Sequence, residues 1–407
     1  MTKVRVLLAH NNYTVQGGAE VFFHEVARVL EARGHEVALF STAEDGLEAP
    51  HADLFPEAAD YRHGSIAARA ARLPAMIYNT RARDAFARMI ETFRPDIVHA
   101  FAIYVRLTPA ILDAAREAGV PVVLSCNDYK HLCPNYKLFH HGRVCTECRG
   151  GRFHRALVNR CCHGSLAVSA ASMIEAYIHD RLDLWRRNVS IFLFASRFMA
   201  AQTEAFWGPG RVDIDFLRNP FDVDAHRVAP NVGEYILYFG RLIDEKGLDL
   251  LFDAAAQAPE VPVVVVGDGP DRARLEARAA GLANLRLVGP AWGADLARWL
   301  EGARAVAVPS IWHENFPYVI LQAFAASTPV IATRRGGMPE LVEAGPHGWI
   351  CESGDATALA ERMRAACRLP ATEIARMGAA ACAYAEREFA DDAIYRRLLE
   401  IYRRAGA

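Results

Sequence analysis

Short apolar runs alternate with amphipathic segments along the chain, a pattern typical of a parallel β-sheet covered by helices. The first run is residues 4–9, and an amphipathic segment of residues 19–33 follows a glycine-containing loop. Because consecutive positions in these runs are apolar, each strand is expected to be buried on both faces. The first half of the chain is therefore predicted to be a doubly wound α/β domain. Its further strands are predicted at residues 37–40, 96–100, 120–125 and 189–195.

The pattern breaks at Asn219-Pro220, a turn signal, and then restarts. We therefore predict a first domain at residues 1–215 and a second, of the same fold type, at residues 220–389. A last amphipathic segment, residues 390–407, carries apolar side chains at helical spacing. Ligands of such sheets bind beyond the carboxyl ends of the strands, so we expect the site in a cleft between the domains. The predicted strands of the second domain are residues 235–239, 263–266, 285–288, 305–308 and 329–332.

Composition narrows the functional classes. The 407 residues include 46 Lys and Arg against 48 Asp and Glu, so nothing in the charge calls for a nucleic-acid partner. No apolar stretch approaches the ~18 residues that a bilayer span requires. The N-terminus lacks the cleavage region of a signal peptide. We therefore expect a cytoplasmic protein whose nine cysteines stay reduced and are available as ligands.

The segment from residue 307 to residue 352 carries the densest set of candidate functional residues. An apolar run is followed by an acidic loop with Glu314, an amphipathic stretch with Gln322, another apolar run, and a loop with Gly336-Gly337. A carboxylate can accept hydrogen bonds from sugar hydroxyls, and an amide can hold a ribose diol. Glycine-rich loops at helix N-termini bring N–H groups to phosphate oxygens. An ordinary strand-helix pair is the alternative, but the complete order favours a nucleotide-sugar pocket.

This order resembles the donor-binding half of the retaining glycosyltransferases of family 4, which have the GT-B architecture. The resemblance implies two Rossmann-like, doubly wound domains facing each other across a cleft, with residues 390–407 packing back on the first domain. The family places one acid before the helix and a second acid eight residues later. Here those positions hold Glu314 and Gln322, so Glu314 is expected at the donor sugar and Gln322 at the ribose. The resemblance adds Asn315, Phe316 and Gly337 as donor-binding residues.

Residues 239–247 are similar to the family's phosphate-binding segment. Arg241 can hold phosphate oxygens in a bidentate fork, Lys246 adds a point charge, and Gly240 allows close approach. After the first strand, Gly17-Gly18 matches the family's N-terminal glycine loop and is expected to approach the diphosphate and sugar. The alternative for residues 239–247 is that Arg241 and Lys246 are ordinary surface cations. The alternative for Gly17-Gly18 is an ordinary helix start, at which Glu20 favours the helix N-terminus.

Asn127 departs from the family pattern. The family usually places a histidine there, facing the donor sugar, and asparagine cannot carry a proton at neutral pH. We assign Asn127 a hydrogen bond to a sugar hydroxyl, with Asp128 or His131 able to compensate for the missing proton carrier. A turn-forming Asn-Asp pair is the alternative.

Cysteines cluster in residues 128–164, which resemble a cysteine-bearing insertion of one branch of the family. Two residues separate Cys145 from Cys148, a spacing that suits a metal knuckle, and Cys133 and Cys161 complete four thiolates for tetrahedral zinc. Such a site has no open position, so the predicted zinc is structural. Residues 128–164 are expected to contain few apolar residues to order them, so a metal would supply the missing stabilisation. Cys162 or His163 could replace Cys161, and unliganded thiols are the alternative.

Arginine is concentrated in residues 62–94, which hold seven arginines and two acidic residues for a net charge of +5. A basic amphipathic surface of this kind could rest on an anionic membrane. Solvated helices are the alternative. Two Asp-x-Asp sequences, at residues 213–215 and 222–224, lie near the predicted hinge and are not assigned to a metal.

The resemblance implies a retaining glycosyltransferase of the hexosyltransferase class. It would move a sugar from a nucleoside-diphosphate sugar to a hydroxyl of a saccharide or lipid-linked acceptor, in polysaccharide or glycoconjugate synthesis, with no cofactor needed for catalysis. Arg241 and Lys246 would neutralise the departing diphosphate in a front-face mechanism. Two alternatives stay open: a nonhydrolysing sugar-nucleotide epimerase, and a non-catalytic partner, suggested by Asn127 and Gln322.

Overall fold

The computed structural model divides the chain into two compact units. The first comprises Met1–Leu138, Cys145–Pro220 and Ile394–Ala407, and the second comprises Phe139–Val144 and Phe221–Ala393. The main division follows Asn219 and Pro220 directly. The structure describes residues 3–15, 17–58, 66–229, 231–343 and 346–407, with the backbone alone for residues 66–71.

The elements are numbered here in chain order. The strands are β1 Arg5–Ala9, β2 Glu36–Phe40, β3 Ile97–Ala100, β4 Val122–Cys126, β5 Phe139–His140, β6 Arg143–Val144, β7 Ile191–Phe194, β8 Ile214–Phe216, β9 Tyr235–Phe239, β10 Val263–Val266, β11 Leu285–Leu287, β12 Ala303–Val308, β13 Val330–Thr333 and β14 Gly348–Cys351. The helices are α1 Gly18–Glu31, α2 Ile66–Ile77, α3 Thr80–Phe93, α4 Ala110–Glu117, α5 His154–Val158, α6 Leu166–Arg181, α7 Arg197–Trp207, α8 Leu248–Gln257, α9 Arg272–Ala279, α10 Gly293–Glu301, α11 Tyr318–Ala325, α12 Met338–Val342, α13 Ala356–Arg368, α14 Ala371–Phe389 and α15 Asp391–Ala405.

The first unit is built on a parallel sheet with the strand order β2-β1-β3-β4-β7-β8. Neighbouring residues of a strand point to opposite faces, and here both faces are buried. Leu7 packs into a core with Phe86 of α3, whereas Leu8 packs into a second core with Phe23 of α1 and Tyr402 of α15. Burial on both faces explains why these strands are continuous apolar runs in the sequence.

The second unit repeats this plan with the parallel strand order β11-β10-β9-β12-β13-β14. Its core joins Val265 of β10 and Ala307 of β12 to Leu251 of α8 and Met363 of α13. The α/β class and the doubling of one fold type, both predicted from the sequence pattern, are therefore found in the structure.

The end of the chain belongs to the first unit, and buried polar contacts hold it there. On β3, His99 bonds through Nδ1 to the hydroxyl of Tyr402 and through Nε2 to Ser125 Oγ, each at 2.8 Å. The hydroxyl of Tyr395 lies 2.8 Å from His35 Nε2. Since buried polar groups need partners, these contacts fix the position of α15 on the sheet.

Two sequence expectations need correction. Residues 213–215 do not lie in a hinge: Ile214–Phe216 is the edge strand β8, and the buried carboxylate of Asp215 forms ion pairs with Arg397 and Arg404. The cysteine-bearing segment was also expected to contain few ordering apolar residues. It buries several large apolar side chains, namely Tyr129, Leu132, Leu138, Phe139 and Phe153.

Among the described helices, none combines the length and the apolar character needed to cross a lipid bilayer.

Candidate functional site

The second unit has a topological switch point between β9 and β12. From β9 the chain adds β10 and β11 on one side, and from β12 it adds β13 and β14 on the other. Ligands of doubly wound sheets bind where the strand order reverses, beyond the carboxyl ends of the strands. The loops that follow β9 and β12 carry Arg241, Lys246 and Glu314. The fold thus brings the predicted phosphate-binding and sugar-binding residues to one edge of the sheet.

Glu314 lies buried in the loop between β12 and α11, with 4% of its surface exposed. Its Oε1 accepts hydrogen bonds from Lys246 Nζ at 2.6 Å and from Ser310 Oγ at 2.7 Å. Burial alone would raise the pKa of Glu314. The Lys246 ammonium and these hydrogen bonds outweigh burial and hold the pKa below its usual value. Glu314 is therefore a carboxylate at neutral pH and can accept hydrogen bonds from hydroxyl groups.

Lys246 reaches Glu314 because of the turn that carries it. Asp244–Lys246 forms one turn of 3-10 helix, and Gly247 follows with a positive φ of 70°. A Cβ on Gly247 would lie 2.0 Å from the carbonyl oxygen of Pro309, so only glycine fits. The Lys246 ammonium also lies 5.6 Å from the ring centre of Trp312, within cation–π range. The close approach of the two loops thus places a cation beside the buried carboxylate.

Arg241 extends from the loop after β9 with an exposed side chain. Its carbonyl oxygen accepts a 2.8 Å hydrogen bond from the Tyr238 hydroxyl, which fixes the backbone. In the described part of the chain, the Arg241 guanidinium has no hydrogen-bond or ion-pair partner. An anchored backbone with an uncommitted guanidinium leaves all five N–H donors available to an anionic ligand.

The loop of Gly336 and Gly337 packs against the backbone of Glu314. Gly336 has a φ of 58°, and a Cβ there would lie 1.8 Å from the Glu314 carbonyl oxygen. The N–H of Gly337 donates to the same oxygen at 2.7 Å. The role expected of the Gly336 and Gly337 amides at the donor diphosphate stays a prediction. In this structure the loop positions Glu314.

The remaining predicted residues of this unit lie on and before α11. Asn315 and Phe316 are buried next to Glu314, and the Phe316 ring packs 5.6 Å from that of Phe389. Gln322 lies on α11 itself and is half-buried. In the same loop as Glu314, burial lowers the pKa of His313 to about 4, with a smaller contribution from the positive charge of Arg335.

The first unit has its own switch point, between β1 and β3, and polar residues gather there. Gly17 precedes α1, and Glu20 lies buried in the helix's first turn. Glu20 Oε1 accepts a 2.9 Å hydrogen bond from Asn12 Nδ2 and lies 3.9 Å from His10 Nε2. Sequence reasoning identified Gly17 and Gly18 but missed His10 and Asn12. The polar run directly after the first apolar strand was the signal for them.

Asn127 lies directly after β4 on the same carboxyl edge of the first sheet. Its buried side-chain nitrogen has no hydrogen-bond partner among the described residues, so it can donate to a bound hydroxyl. Next to it, burial raises the pKa of Asp128 to about 6, while hydrogen bonds from the Tyr104 hydroxyl and the Lys130 N–H limit the rise. His131 packs in the core instead, with its Nε2 2.9 Å from Thr203 Oγ1. Asp128 thus follows Asn127 at the carboxyl edge of the sheet, whereas His131 is committed to its contact with Thr203.

The cysteines of residues 128–164 gather around one part of the first unit, and all are free thiols. Burial raises the pKa of Cys133 to about 11, with a further contribution from the thiols of Cys145 and Cys162. Burial also raises the pKa of Cys148 to about 12, with smaller contributions from Cys133, Cys145, Glu147 and Cys162. Among the described residues, no three of the four predicted ligand sulfurs all lie within 4.8 Å of one another. The thiols influence one another's pKa values and so lie in the same region, but a zinc site formed by them stays a prediction.

The arginine-rich segment of residues 62–94 falls only partly within the described structure. Arg62 and Arg69 lie outside the described side chains. On α3, Arg83 bonds to Glu117 at 2.5 Å, so part of its charge is neutralised. Membrane contact through this segment stays a prediction.

Two doubly wound units, one with a cation–carboxylate pair at its switch point, define the protein as a two-unit, doubly wound α/β protein. Comparison with protein families makes this specific. Residues 16–225 match the family described as Glycosyltransferase Family 4, and residues 224–382 match the family described as Glycosyl transferases group 1. The chain belongs to glycosyltransferase family 4, and its fold is GT-B.

Individual relatives match parts of the chain. The chain is 36% identical to the D-inositol 3-phosphate glycosyltransferase of Mycobacterium avium over 208 residues. The matched region covers 48% of this chain and 48% of that protein. Over 268 residues it is 32% identical to the GDP-mannose-dependent alpha-mannosyltransferase of Mycobacterium tuberculosis, covering 64% of this chain and 60% of that protein. The chain thus spans about half the length of the first of these relatives.

Solved structures match nearly the whole chain in fold. A glycosyltransferase from Rickettsia africae superimposes with a TM-score of 0.71 at 17% identity, covering 100% of this chain and 99% of that one. Anabaena HepE in complex with UDP superimposes with a TM-score of 0.62 at 20% identity, covering 98% of this chain and 99% of that one. At these identities the likeness establishes the fold alone.

Proposed function

We propose that the protein transfers a sugar from a nucleoside-diphosphate sugar to an acceptor hydroxyl, with retention of the anomeric configuration. The observation that carries the proposal is the pairing of Lys246 with buried Glu314 at the switch point of the second unit, beside the uncommitted Arg241. Two cations and one carboxylate match the charges of a diphosphate and the hydroxyls of a sugar. Family membership supports the same reaction class.

The cations would act on the leaving group. As the bond between the anomeric carbon and the β-phosphate oxygen breaks, negative charge grows on the diphosphate. Arg241 can hold its oxygens through paired N–H donors, and Lys246 adds a positive charge close by. Preorganised charges of this kind stabilise the transition state without the need to reorganise solvent.

The carboxylate would act on the sugar. Glu314 is ionised and buried, so it can accept hydrogen bonds from donor hydroxyls and orient the ring. Retention by double displacement would require a carboxylate nucleophile at the anomeric carbon. Glu314 is already paired with Lys246 and Ser310, which supports a positioning role over attack. We therefore favour a front-face reaction, in which the acceptor oxygen bonds to the anomeric carbon and its proton passes to the departing diphosphate.

The remaining parts of the proposal concern single residues, the acceptor and a structural metal. Gln322 would hold the ribose, and Asn127 would donate a hydrogen bond to a ligand hydroxyl at its own sheet edge. The acceptor would be a saccharide or a lipid-linked saccharide, in polysaccharide or glycoconjugate synthesis. Cys133, Cys145, Cys148 and either Cys161 or Cys162 would hold a structural zinc ion, supported by the spacing of Cys145 and Cys148 and by the closeness of the thiols.

A donor screen followed by a transfer assay tests the proposal. Thermal shifts with UDP-, GDP- and ADP-sugars identify the donor, and release of nucleoside diphosphate is then measured across a panel of saccharide acceptors. The product's anomeric configuration, read by NMR, is expected to match that of the donor. An inverted product would contradict retention. Donor epimerisation without any acceptor, or donor binding with no turnover, would contradict the transfer reaction itself.

A further inference from the structure

Helix α6, Leu166–Arg181, is oriented with its polar side inward. Its buried residues are Ser169, Ser172, Glu175 and His179. Its exposed side includes Leu166, Ile174 and Tyr177, with exposed fractions of 53%, 46% and 37%. At 100° per residue these three side chains fall within about 80° of arc on one side of the helix. Val168, in the first turn and 42% exposed, lies outside that arc. A surface helix of a globular protein normally buries its apolar side, so α6 has the opposite arrangement.

Polar partners inside the first unit explain the orientation. Glu175 Oε2 forms a buried ion pair with Lys130 Nζ at 2.6 Å. On the next turn, His179 Nε2 donates to the carbonyl oxygen of Ile77 at 2.6 Å. Near the start of the helix, Ser169 Oγ accepts from the N–H of Cys162 at 3.1 Å. Because unpaired buried polar groups are costly, these contacts fix the polar side inward and leave the apolar side in water.

Helix α5, His154–Val158, extends the same surface. The Tyr177 hydroxyl accepts a hydrogen bond from the His154 N–H at 3.2 Å, and its ring packs edge-on against Phe153. Val158 lies one turn after His154 and is 65% exposed. Leu182, directly after α6, is 51% exposed. We call this surface the α5–α6 face. Six of the ten large apolar side chains found exposed in the described chain lie within residues 158–182, so the exposure is concentrated and not scattered.

Positive charge accompanies the apolar side chains. Residues 145–182 of the first unit contain five arginines and three acidic residues, Glu147, Glu175 and Asp180. Glu175 is paired with Lys130, and Asp180 with Arg186. All five arginines are exposed, and none forms an ion pair with a described residue. They are Arg149, Arg152, Arg155, Arg160 and Arg181.

The combination of exposed arginines with exposed apolar side chains favours one kind of binding partner for the α5–α6 face over another. A second copy of the chain docked face to face would place its own unpaired arginines against those of the first copy. The like charges would oppose such contact. An anionic lipid surface offers both complements, phosphate groups for the arginines and acyl chains for the apolar side chains. The chemistry therefore favours lipid over self-association.

We propose that the α5–α6 face docks on an anionic lipid bilayer, with Leu166, Ile174 and Val158 entering the headgroup region and the arginines contacting lipid phosphates. This surface is distinct from residues 62–94, which the sequence analysis considered for membrane contact. The inference does not depend on the transfer reaction, because binding to lipid is measured without donor or acceptor.

Co-sedimentation with vesicles tests the inference. The full-length protein is mixed with vesicles of phosphatidylcholine alone, or of phosphatidylcholine with phosphatidylglycerol. We expect binding to the anionic vesicles only, weakening as salt rises, since surface charges are screened over about 10 Å at 0.1 M salt. Leu166→Ser with Ile174→Ser should reduce binding at least tenfold, as should Arg155→Glu with Arg160→Glu. All four side chains are exposed, so circular dichroism and melting should be unchanged.

Matched controls lie elsewhere on the protein. Trp292→Ser removes the most exposed large apolar side chain of the second unit, at 75% exposure, and Arg403→Glu reverses an exposed charge on α15. Neither control should change binding. Unchanged binding in both double variants would overturn the inference. So would loss of binding in Arg72→Glu with Arg81→Glu while the α5–α6 variants bind normally. A dimer detected by light scattering that Leu166→Ser with Ile174→Ser dissociates, without vesicle binding by the wild type, would instead identify a second copy as the occupant.

Discussion

Lys246 and Glu314 form a salt bridge at 2.6 Å although 68 residues separate them in the chain. The sequence suggested separate tasks for them, phosphate binding for the lysine and sugar binding for the glutamate. In the structure the Lys246 ammonium helps to hold the pKa of Glu314 below its usual value, against the effect of burial. A ligand that contacts Lys246 will therefore change the environment of Glu314, which couples the diphosphate and the sugar of the donor.

The first prediction concerns this coupling. Lys246→Ala leaves the buried Glu314 carboxylate without its cation and should lower the free energy of unfolding by about 1–3 kcal/mol. Glu314→Gln in the same chain removes the uncompensated charge and should restore part of that loss. Urea unfolding of the two single variants and the double variant measures the interaction, expected to exceed about 1 kcal/mol. Additive effects would mean that the pair is not energetically coupled.

Arg241 should behave differently, because it has no described partner to lose. Arg241→Ala is expected to change stability by less than about 0.5 kcal/mol. It should nevertheless lower kcat/KM at least about tenfold, equivalent to 1.4 kcal/mol of transition-state stabilisation. Arg298→Ala, at an exposed arginine of α10 in the same unit, serves as the control and should leave kcat/KM unchanged. Normal kcat/KM in Arg241→Ala would remove Arg241 from the proposed phosphate site.

The cysteine cluster gives a prediction about metal content. Protein purified without added metal should contain about one zinc per chain, and chelation should lower its Tm. Cys145→Ser with Cys148→Ser should lose the metal, while Cys367→Ser in the second unit should retain it. Comparing Cys161→Ser with Cys162→Ser identifies the fourth ligand. Metal-free protein whose melting does not respond to chelation would end the zinc proposal.

Acid sensitivity should come partly from His131. Burial lowers its pKa to about 3, against an ordinary value of 6.5. Between these values the unfolded chain binds the proton and the folded protein does not. The stability linked to this residue is therefore fully present above pH 6.5 and falls as the pH drops from 6.5 towards 3.

The matched test of this prediction separates titration from hydrogen bonding. His131→Gln removes the titrating ring and should reduce the pH slope of the unfolding free energy by up to about 1.4 kcal/mol per pH unit. Thr203→Val removes the hydrogen-bond partner of His131 but keeps the ring, so it should lower stability and retain the slope. An unchanged slope in His131→Gln would mean that the residue does not contribute.

Sequence reasoning was accurate where burial alone determines the pattern. The central parallel strands of both units are buried on both faces, so they appear as apolar runs. The edge strands β8 and β14 were both missed. Each is short, the middle residue of β8 is the charged Asp215, and β14 begins with Gly348. The orientation of α6 could not be predicted either, since it depends on Lys130 and Ile77, partners from distant parts of the chain.

In the candidate site, too, contacts between distant parts of the chain could not be predicted from the sequence. Arg241, Lys246 and Glu314 were identified from local order and spacing, and the fold brings them to one sheet edge. The bond from the Gly337 N–H to the Glu314 carbonyl oxygen was missed, because backbone hydrogen bonding between two loops leaves no mark in side-chain identity. The contacts of His10 and Asn12 with Glu20 likewise required the tertiary structure.

The central claim is that Glu314 orients the donor sugar while the cations hold the diphosphate, and one paired measurement tests it most directly. Acceptor-dependent release of nucleoside diphosphate and the affinity for free nucleoside diphosphate are measured in the wild type and in Glu314→Gln. We predict that Glu314→Gln lowers the rate by about 100-fold or more, equivalent to at least about 2.7 kcal/mol, with affinity changed less than about threefold. Gln322→Glu, the companion control, should retain activity. A Glu314→Gln variant that transfers sugar at the wild-type rate, or that loses affinity for the free nucleoside diphosphate as fully as it loses activity, would contradict the account.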